Sequence, residues 1–405
     1  MVIDGVSILM PDGVFRKGTV EFDEIIKKVD VYDEDGACPL DAGVCPLDAA
    51  PSPPGPYLIP GLIDLHTHGV LGCAHSDASA ENLQKMAAFY AINGVTSFLA
   101  TTLTAPEEEL APAMKNAASY ERRPEGARCP GVNMEGPFFS YGKRGAQPAD
   151  KLRLPDISMF ERLQKVSGDS IKLVDIAPEL CGAMEFIREA SKSAHVSLAH
   201  SESNYATAME AFDSGATHVT HLFNGMNPFL HREPGIIGAA MDANAYVEVI
   251  CDGHHLHPAA VRAIFRMFPG RVCLISDSLE CTGLPDGRYK SAGLTVILKD
   301  GKAMLEDGSS LAGSSKTLMQ CVRLAVSLGI PLSQAVTAAT KHPAQAIGME
   351  DRIGVIVPGA CADFVLLDDD LSIQKVIING GEVLNRMPHI PYTSSHIPYT
   401  SSHVP

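Results

Sequence analysis

The feature that most constrains this chain is a series of short apolar runs that alternate with helix-like segments between residues 58 and 354. Strands that alternate with helices indicate parallel β/α units. About eight such units over roughly 290 residues predict a closed (β/α)8 barrel, a TIM-like α/β fold. An open doubly wound sheet is the alternative, but no Gly-x-Gly-x-x-Gly follows an early strand. The strand candidates are 58–65, 97–100, 131–134, 171–176, 196–199, 218–220, 246–250 and 272–275.

Both ends of the chain differ in pattern from this central region. Residues 1–57 and 355–388 contain short β-type stretches, and we expect them to form one small β-sandwich-like domain beside a barrel of residues 58–354. Two heptads are duplicated in tandem. GACPLDA and GVCPLDA occupy residues 36–49, which we interpret as a loop insertion in a segment, 22–56, that lacks regular strands. HIPYTSS occurs twice near the end, where residues 389–405 are expected to form a disordered tail.

Composition narrows the classes of function. The formal net charge is −16 and Lys and Arg form no long basic run, so a nucleic-acid partner is not expected. Residues 1–10 lack the basic start of a signal peptide, and no apolar stretch reaches the roughly 18 residues that span a bilayer. Ten scattered cysteines without a Cys-x-x-Cys pair are typical of a reducing compartment. We therefore expect a cytoplasmic protein without a membrane partner, in which an anionic substrate needs a local cationic pocket.

Metal-type ligands and acids follow one apolar run after another. In a (β/α)8 barrel, reactive residues lie at the C-terminal ends of the strands. Two histidines two residues apart on a strand point to one face, so His66 and His68 can reach the same ion. Taken singly, each of these residues is more often structural, but together they predict a metal site. The set comprises His66, His68, Glu135, His200, His221 and Asp277.

These ligand types indicate a metal ion that activates water for hydrolysis. Histidine with carboxylate suits Zn²⁺ or Fe²⁺ with one position open for water. Such an ion lowers the pKa of the water that it binds from about 15.7 to about 7. Asp277 is then the candidate that takes the proton of the attacking water and later passes it to the leaving amine.

At these residues the sequence resembles the N-acetylglucosamine-6-phosphate deacetylase family of the amidohydrolase superfamily. The resemblance extends over most of the chain, from PGLID at 60–64 to residues 376–383. Its motifs keep the family's order and spacing. They are MEGPF at 134–138, AHS at 199–201, THLFNGM at 220–226, HREPG at 231–235, DGHH at 252–255, SD at 276–277 and LAGS at 311–314.

The resemblance implies hydrolysis of N-acetyl-D-glucosamine 6-phosphate to D-glucosamine 6-phosphate and acetate. It implies that Glu135, His200 and His221 are the principal metal ligands and that Asp277 is the catalytic acid and base. It also implies a homodimer, because the family's arginine at the position of Arg232 reaches the neighbouring subunit's site. The other positions that it implies for the sugar phosphate are Ala146, Gln147, Asn224, Gly225, His255, Leu311, Ala312 and Gly313.

Two positions bear on how closely this chain follows the family. His66 and His68 are both present where some members have lost them, which leaves open a second ion bridged by Glu135. Gln147 stands where the family usually has a histidine that polarises the acetyl carbonyl. An amide can donate a hydrogen bond but carries no charge, so we expect slower turnover or greater reliance on the metal.

Two other functions remain open from the sequence. The first keeps the chemistry and changes the substrate, to N-acetylgalactosamine 6-phosphate or that of another amidohydrolase. The second is a non-catalytic barrel that serves as a scaffold. A scaffold would be expected to lose its ligands and its acid, and this chain keeps all of them.

Overall fold

The computed structural model describes residues 1–32 and 55–384 of the chain, so both heptad duplications lie outside the described residues. Within these ranges the chain forms twenty strands and ten α-helices. The strands are β1 Val2–Leu9, β2 Phe15–Phe22, β3 Ile26–Val31, β4 Tyr57–Pro60, β5 Leu62–Thr67, β6 Gly69–Val70, β7 Cys73–Ala74, β8 Val95–Thr101, β9 Arg128–Met134, β10 Ile171–Ile176, β11 His195–Leu198, β12 Ala216–Val219, β13 Tyr246–Ile250, β14 Val272–Ile275, β15 Gly287–Ser291, β16 Leu294–Lys299, β17 Lys302–Leu305, β18 Phe364–Leu367, β19 Ile373–Ile378 and β20 Gly381–Glu382. The helices are α1 Ala80–Ile92, α2 Glu107–Ala118, α3 Ile157–Val166, α4 Ala183–Ala190, α5 Tyr205–Asp213, α6 Gly235–Asp242, α7 Pro258–Met267, α8 Leu318–Ser327, α9 Leu332–Thr337 and α10 Lys341–Ala346.

Eight parallel strands form a nearly closed barrel. Their order follows the sequence, β5-β8-β9-β10-β11-β12-β13-β14. Residues just beyond the first and last strands complete the ring. The backbone N–H of Asp277 donates to the carbonyl of His66 at 2.9 Å, and Thr67 forms a parallel bridge with Ser278. The predicted (β/α)8 barrel is confirmed, and the open doubly wound sheet is wrong.

The helices between the strands cover the barrel with their apolar faces, as α1 illustrates. This helix begins after Ser79, whose side chain accepts a hydrogen bond from the backbone N–H of Asn82. Leu83, Met86 and Tyr90 then recur at three- or four-residue spacing and are buried. Burying each such side chain contributes about 2 kcal/mol, which fixes the helix and the strand beside it. None of the helices in the described ranges is long and apolar enough to cross a membrane.

A separate seven-stranded sheet joins the two ends of the chain. Its order is β20-β19-β18-β4-β1-β2-β3, and β4 lies between β1 and β18. The predicted strand 58–65 is therefore two strands, because residues 57–60 pair in this terminal sheet before Leu62–Thr67 enters the barrel. The expectation that segment 22–56 lacks strands is wrong for Ile26–Val31, which pairs with β2. The boundaries expected for the two domains stay a prediction.

A three-stranded antiparallel sheet, β15-β16-β17, is inserted after the last barrel strand and was not predicted. Two of its strands are joined by Asp300-Gly301, both with positive φ, as a tight hairpin turn requires. Its buried Val296 and Leu298 share an apolar cluster with Leu279, which follows the end of β14. The inserted sheet therefore packs beside the C-terminal mouth of the barrel.

Candidate metal centre and substrate cavity

The six predicted ligands and acids meet at the C-terminal mouth of the barrel. Each lies within β5 or one or two residues after a barrel strand, which is where parallel strands bring their ends together. All six side chains are buried, with no residue above 7% exposed. They are His66, His68, Glu135, His200, His221 and Asp277.

A first group of ligand atoms consists of Glu135, His200 and His221. Oε1 of Glu135 lies 3.3 Å from Nε2 of each histidine, and the two Nε2 atoms are 3.2 Å apart. Nδ1 of His200 lies 2.8 Å from the carbonyl of Lys143, and Nδ1 of His221 lies 3.2 Å from the carbonyl of Asn224. A carbonyl oxygen only accepts hydrogen bonds, so each Nδ1 donates and each Nε2 presents a lone pair.

This arrangement fits a cation. Two nitrogen lone pairs and a carboxylate oxygen face one another in a buried pocket, where they repel unless a positive charge lies between them. The three ligand atoms lie within 4.8 Å of one another. Two imidazoles and a carboxylate form the kind of ligand set that binds Zn²⁺ or Fe²⁺.

A second group shares Glu135 with the first. Nε2 of His66 lies 3.2 Å from Nε2 of His68 and 3.5 Å from Oε1 of Glu135. Nε2 of His68 lies 3.5 Å from Oε2 of the same carboxylate. The three ligand atoms of this group also lie within 4.8 Å of one another, so the geometry has room for two ions with Glu135 between them.

Both acids at the mouth are ionised at neutral pH. Burial raises the pKa of Glu135, but the charge of His66 and the hydrogen bonds of His200 and His221 lower it well below its usual range. Burial also raises the pKa of Asp277, but the hydrogen bond with His68 and the charge of His66 bring it below its ordinary value. Oδ1 of Asp277 lies 3.2 Å from Nε2 of His68. Asp277 is therefore a carboxylate poised to accept a proton beside the ligands.

Backbone strain is concentrated at the same residues. His200, His221 and Asp277 have positive φ angles of 45°, 30° and 48°. Residues with a Cβ rarely adopt this left-handed region, and each instance costs about 1 kcal/mol or more. The surrounding structure holds all three in conformations that direct their side chains into the mouth.

A cavity of about 220 Å³ opens beside the ligands and is lined by Glu135, His200, His221 and Asp277. Ser291, Leu294, Val296 and Leu305 of the inserted sheet also line it, and the sequence analysis missed them. The apolar strands around Asp300-Gly301 signal a hairpin but not where it packs. The predicted substrate positions that line the cavity are Ala146, Gln147, Asn224, Gly225, His255, Leu311, Ala312 and Gly313.

Both ends of the Gln147 amide form hydrogen bonds, and one of them contacts a candidate metal ligand. Its Oε1 accepts the backbone N–H of Thr104 at 2.9 Å, and its Nε2 donates to Oε2 of Glu135 at 2.5 Å. The amide therefore orients a candidate metal ligand, a contact that the sequence did not indicate.

His255 lines the cavity, and its neighbour Asp252 favours its cationic form. Its Nδ1 lies 2.9 Å from Oδ2 of Asp252, and Oδ1 of Asp252 accepts the backbone N–H groups of His254 and His255. Burial lowers the pKa of His255, but the hydrogen bond and charge of Asp252 raise it above its ordinary value. The imidazolium form is therefore favoured where an anionic group would bind.

Arg232 lies apart from the cavity of its own chain. It is exposed, and its Nη1 contacts Nε2 of His231 at 2.6 Å. Among the described residues that line the cavity there is no lysine or arginine. One chain alone therefore does not bring Arg232 together with the other predicted site residues.

Comparison with known proteins agrees with this geometry. The family model described as the amidohydrolase family matches residues 57–383. The chain is 37% identical over 333 residues to N-acetylglucosamine-6-phosphate deacetylase of Vibrio furnissii, covering 81% of this chain and 83% of the relative. It is also 37% identical over 327 residues to N-acetylgalactosamine-6-phosphate deacetylase of Escherichia coli O157:H7, covering 80% of this chain and 86% of the relative.

A solved structure of the same kind superposes on nearly the whole molecule. It is a variant of N-acetyl-D-glucosamine-6-phosphate deacetylase from Mycobacterium smegmatis in complex with N-acetyl-D-glucosamine-6-phosphate. The TM-score is 0.84 at 31% sequence identity, and the match covers 95% of this chain and 99% of that one.

Proposed function

The chain belongs to the amidohydrolase family, in its N-acetylglucosamine-6-phosphate deacetylase group, and we propose that it hydrolyses N-acetyl-D-glucosamine 6-phosphate to D-glucosamine 6-phosphate and acetate. Members of this family are hydrolases that act on amide bonds. The observation that carries the proposal is the convergence of Glu135, His200 and His221 beside Asp277 in the wall of one cavity.

The chain's own residues account for the steps at the amide. Glu135, His200 and His221 would hold a divalent cation, Zn²⁺ or Fe²⁺, and His66 and His68 offer ligand atoms for a second beside Glu135. When bound, the cation supplies a water of lowered pKa and polarises the acetyl carbonyl. Asp277 accepts a proton from the water while the oxygen of that water bonds to the carbonyl carbon. It then donates that proton to the nitrogen as the C–N bond breaks, which releases the amine and acetate.

Binding of the sugar phosphate depends on donors around the cavity. His255 offers an imidazole whose cationic form Asp252 favours, and Asn224 and Gly225 line the same cavity. Arg232 of a second copy completes the phosphate site in a homodimer. In support, the cavity of one chain contains no arginine or lysine among its described lining residues, and the loop next to Arg232 exposes Phe229 and Leu230. A planar guanidinium suits phosphate oxygens.

A second candidate substrate has direct support. The galactosamine-type deacetylase from Escherichia coli O157:H7 is as similar to this chain as the Vibrio furnissii enzyme. The two sugars differ only in the orientation of one ring hydroxyl. Equal enzyme samples assayed on both sugar phosphates side by side decide between them. A higher kcat/KM for the glucosamine derivative supports the proposal. A higher kcat/KM for the galactosamine derivative would identify that sugar phosphate as the substrate instead.

A reducing, cytoplasmic setting is part of the same proposal. All eight cysteines in the described ranges carry free thiols. Free thiols persist where glutathione and thioredoxin keep them reduced.

The experiment that tests the function is elemental analysis of the purified protein together with acetate release before and after chelation. We expect bound zinc or iron, acetate release that chelator abolishes, and recovery when the ion is returned. Asp277→Asn is the matched variant, which should retain the ion and lose about 10²- to 10⁴-fold in kcat. Acetate release that survives complete removal of metal contradicts the proposal.

A further inference from the structure

A buried carboxylate lies directly behind the second group of ligands. Glu248 is on barrel strand β13, and its Oε2 lies 2.9 Å from Nδ1 of His66. The side chains of Glu248 and His66 are 1% and 0% exposed. Glu248 does not line the cavity, so it does not contact substrate there.

The stability of the fold alone does not explain an acid at this place. Oε1 of Glu248 has no hydrogen-bond partner among the described residues, and no lysine or arginine within them forms an ion pair with it. An incompletely paired carboxylate in a protein interior costs several kcal/mol. A cation bound by His66 would lie close enough to offset that cost. The position of Glu248 therefore points to a role in the metal centre.

The partner of each Nδ1 atom distinguishes His66 from the other ligands. Backbone carbonyls orient His200 and His221, and Nδ1 of His68 has no partner among the described residues. Of the two histidines in the second group, His66 is thus the one whose ring is held by a hydrogen bond at Nδ1. A carboxylate on the far nitrogen fixes the tautomer of a ligand imidazole and makes it more basic.

We propose that Glu248 is a positioning residue that holds the proton of His66 on Nδ1, so that Nε2 joins His68 and Glu135 in binding a second divalent cation. The inference rests on the proposed function, because it assigns the ion count of the same site. It predicts that the second ion depends on Glu248, whereas the ion of Glu135, His200 and His221 does not.

The test counts zinc ions per chain, with their affinities measured by competition with a chromophoric chelator. We expect two ions in the wild type. Glu248→Leu removes the acceptor and should weaken the second ion about 10- to 100-fold or more while the first stays bound. Glu248→Gln should lose less, because its amide oxygen still accepts from Nδ1 of His66. Circular dichroism shows whether each variant is folded, and Glu248→Asp, which withdraws the carboxylate by one methylene, replaces Glu248→Leu if that variant does not fold.

Asp363→Asn is the control, because Asp363 is a buried acid between the barrel and the terminal sheet whose partners are Arg128 and Asn379, not the ligands. It should retain both ions. The inference is overturned if the wild type releases acetate with one ion per chain, or if Glu248→Leu binds both ions as the wild type does. A wild type that binds no ion at all contradicts the proposed function instead.

Discussion

At the scale of residues, small contacts decide what each side chain at the barrel mouth can do. Gln147 stands where the family resemblance leads us to expect a histidine, and its amide is held between Thr104 and Glu135. The amide therefore orients Glu135, and it carries no charge that could polarise the acetyl carbonyl.

Replacing Gln147 by histidine should increase turnover. A charged donor stabilises developing negative charge by about 1.4 kcal/mol more than a neutral amide does, which corresponds to about tenfold in kcat. Initial rates at saturating substrate measure the effect, with metal content measured in parallel because the change also removes a hydrogen bond to Glu135. Unchanged kcat in a fully metal-loaded variant would show that Gln147 does not limit the reaction.

The pair of Asp252 and His255 should make substrate binding depend on pH. Asp252 raises the pKa of His255 above its ordinary value, so the imidazolium persists to higher pH than it would without Asp252 and is lost as pH rises through that raised value. KM for the phosphorylated sugar should therefore increase at alkaline pH. In Asp252→Asn the increase should begin at a lower pH, since the carboxylate no longer favours the cation. KM profiles of the two proteins that coincide between pH 6 and 9 would rule out this role.

At the scale of elements, the pattern of the sequence predicted the barrel but not how its neighbours attach. Parallel strands buried on both faces are largely apolar, so β10, β13 and β14 were predicted with the bounds that the structure has. The run 58–65 is equally apolar, and nothing local shows that pairing with β18 ends at Pro60. The candidate metal ligands were predictable because they follow strand ends. The hydrogen bond from Gln147 to Glu135 was not, because it is a tertiary contact that no local pattern encodes.

An ion pair that links the barrel to the terminal sheet should contribute to stability. Arg128 at the start of β9 donates to Asp363, whose other oxygen accepts the backbone N–H of Asn379 at 2.7 Å. Asp363→Ala leaves Arg128 uncompensated in a half-buried place and should cost about 3 kcal/mol in the free energy of unfolding. The exposed pair of Arg16 and Asp12 is the control, for which Asp12→Asn should cost no more than about 1 kcal/mol.

Denaturant unfolding of both variants measures this difference. Equal losses from Asp363→Ala and Asp12→Asn would show that the connection between the barrel and the terminal sheet does not depend on this contact.

At the scale of the whole molecule, the net charge bears on the dimer that we propose. The chain carries a formal charge of −16, yet its proposed substrate is an anion. His255 is the cationic donor that one chain places in the cavity, and Arg232 lies outside it. The proposed dimer, in which each subunit supplies Arg232 to the other's site, would resolve this mismatch.

Mixing two inactive variants tests the exchange of Arg232. Asp277→Asn and Arg232→Gln each disable a different part of the site. In a mixed dimer, one site combines an intact Asp277 with Arg232 from the other subunit. Random mixing should therefore restore about a quarter of wild-type activity. If Arg232 acted within its own chain, the mixture would be no more active than the separate variants.

The central claim is that Glu135, His200 and His221 share one cation at the mouth of the barrel. Anomalous diffraction from crystals of the metal-loaded protein, recorded on both sides of the absorption edge of the bound metal, tests it most directly. We predict a peak about 2.0–2.2 Å from Nε2 of both histidines and from a carboxylate oxygen of Glu135. The absence of a peak at these three side chains in protein that releases acetate would contradict the account.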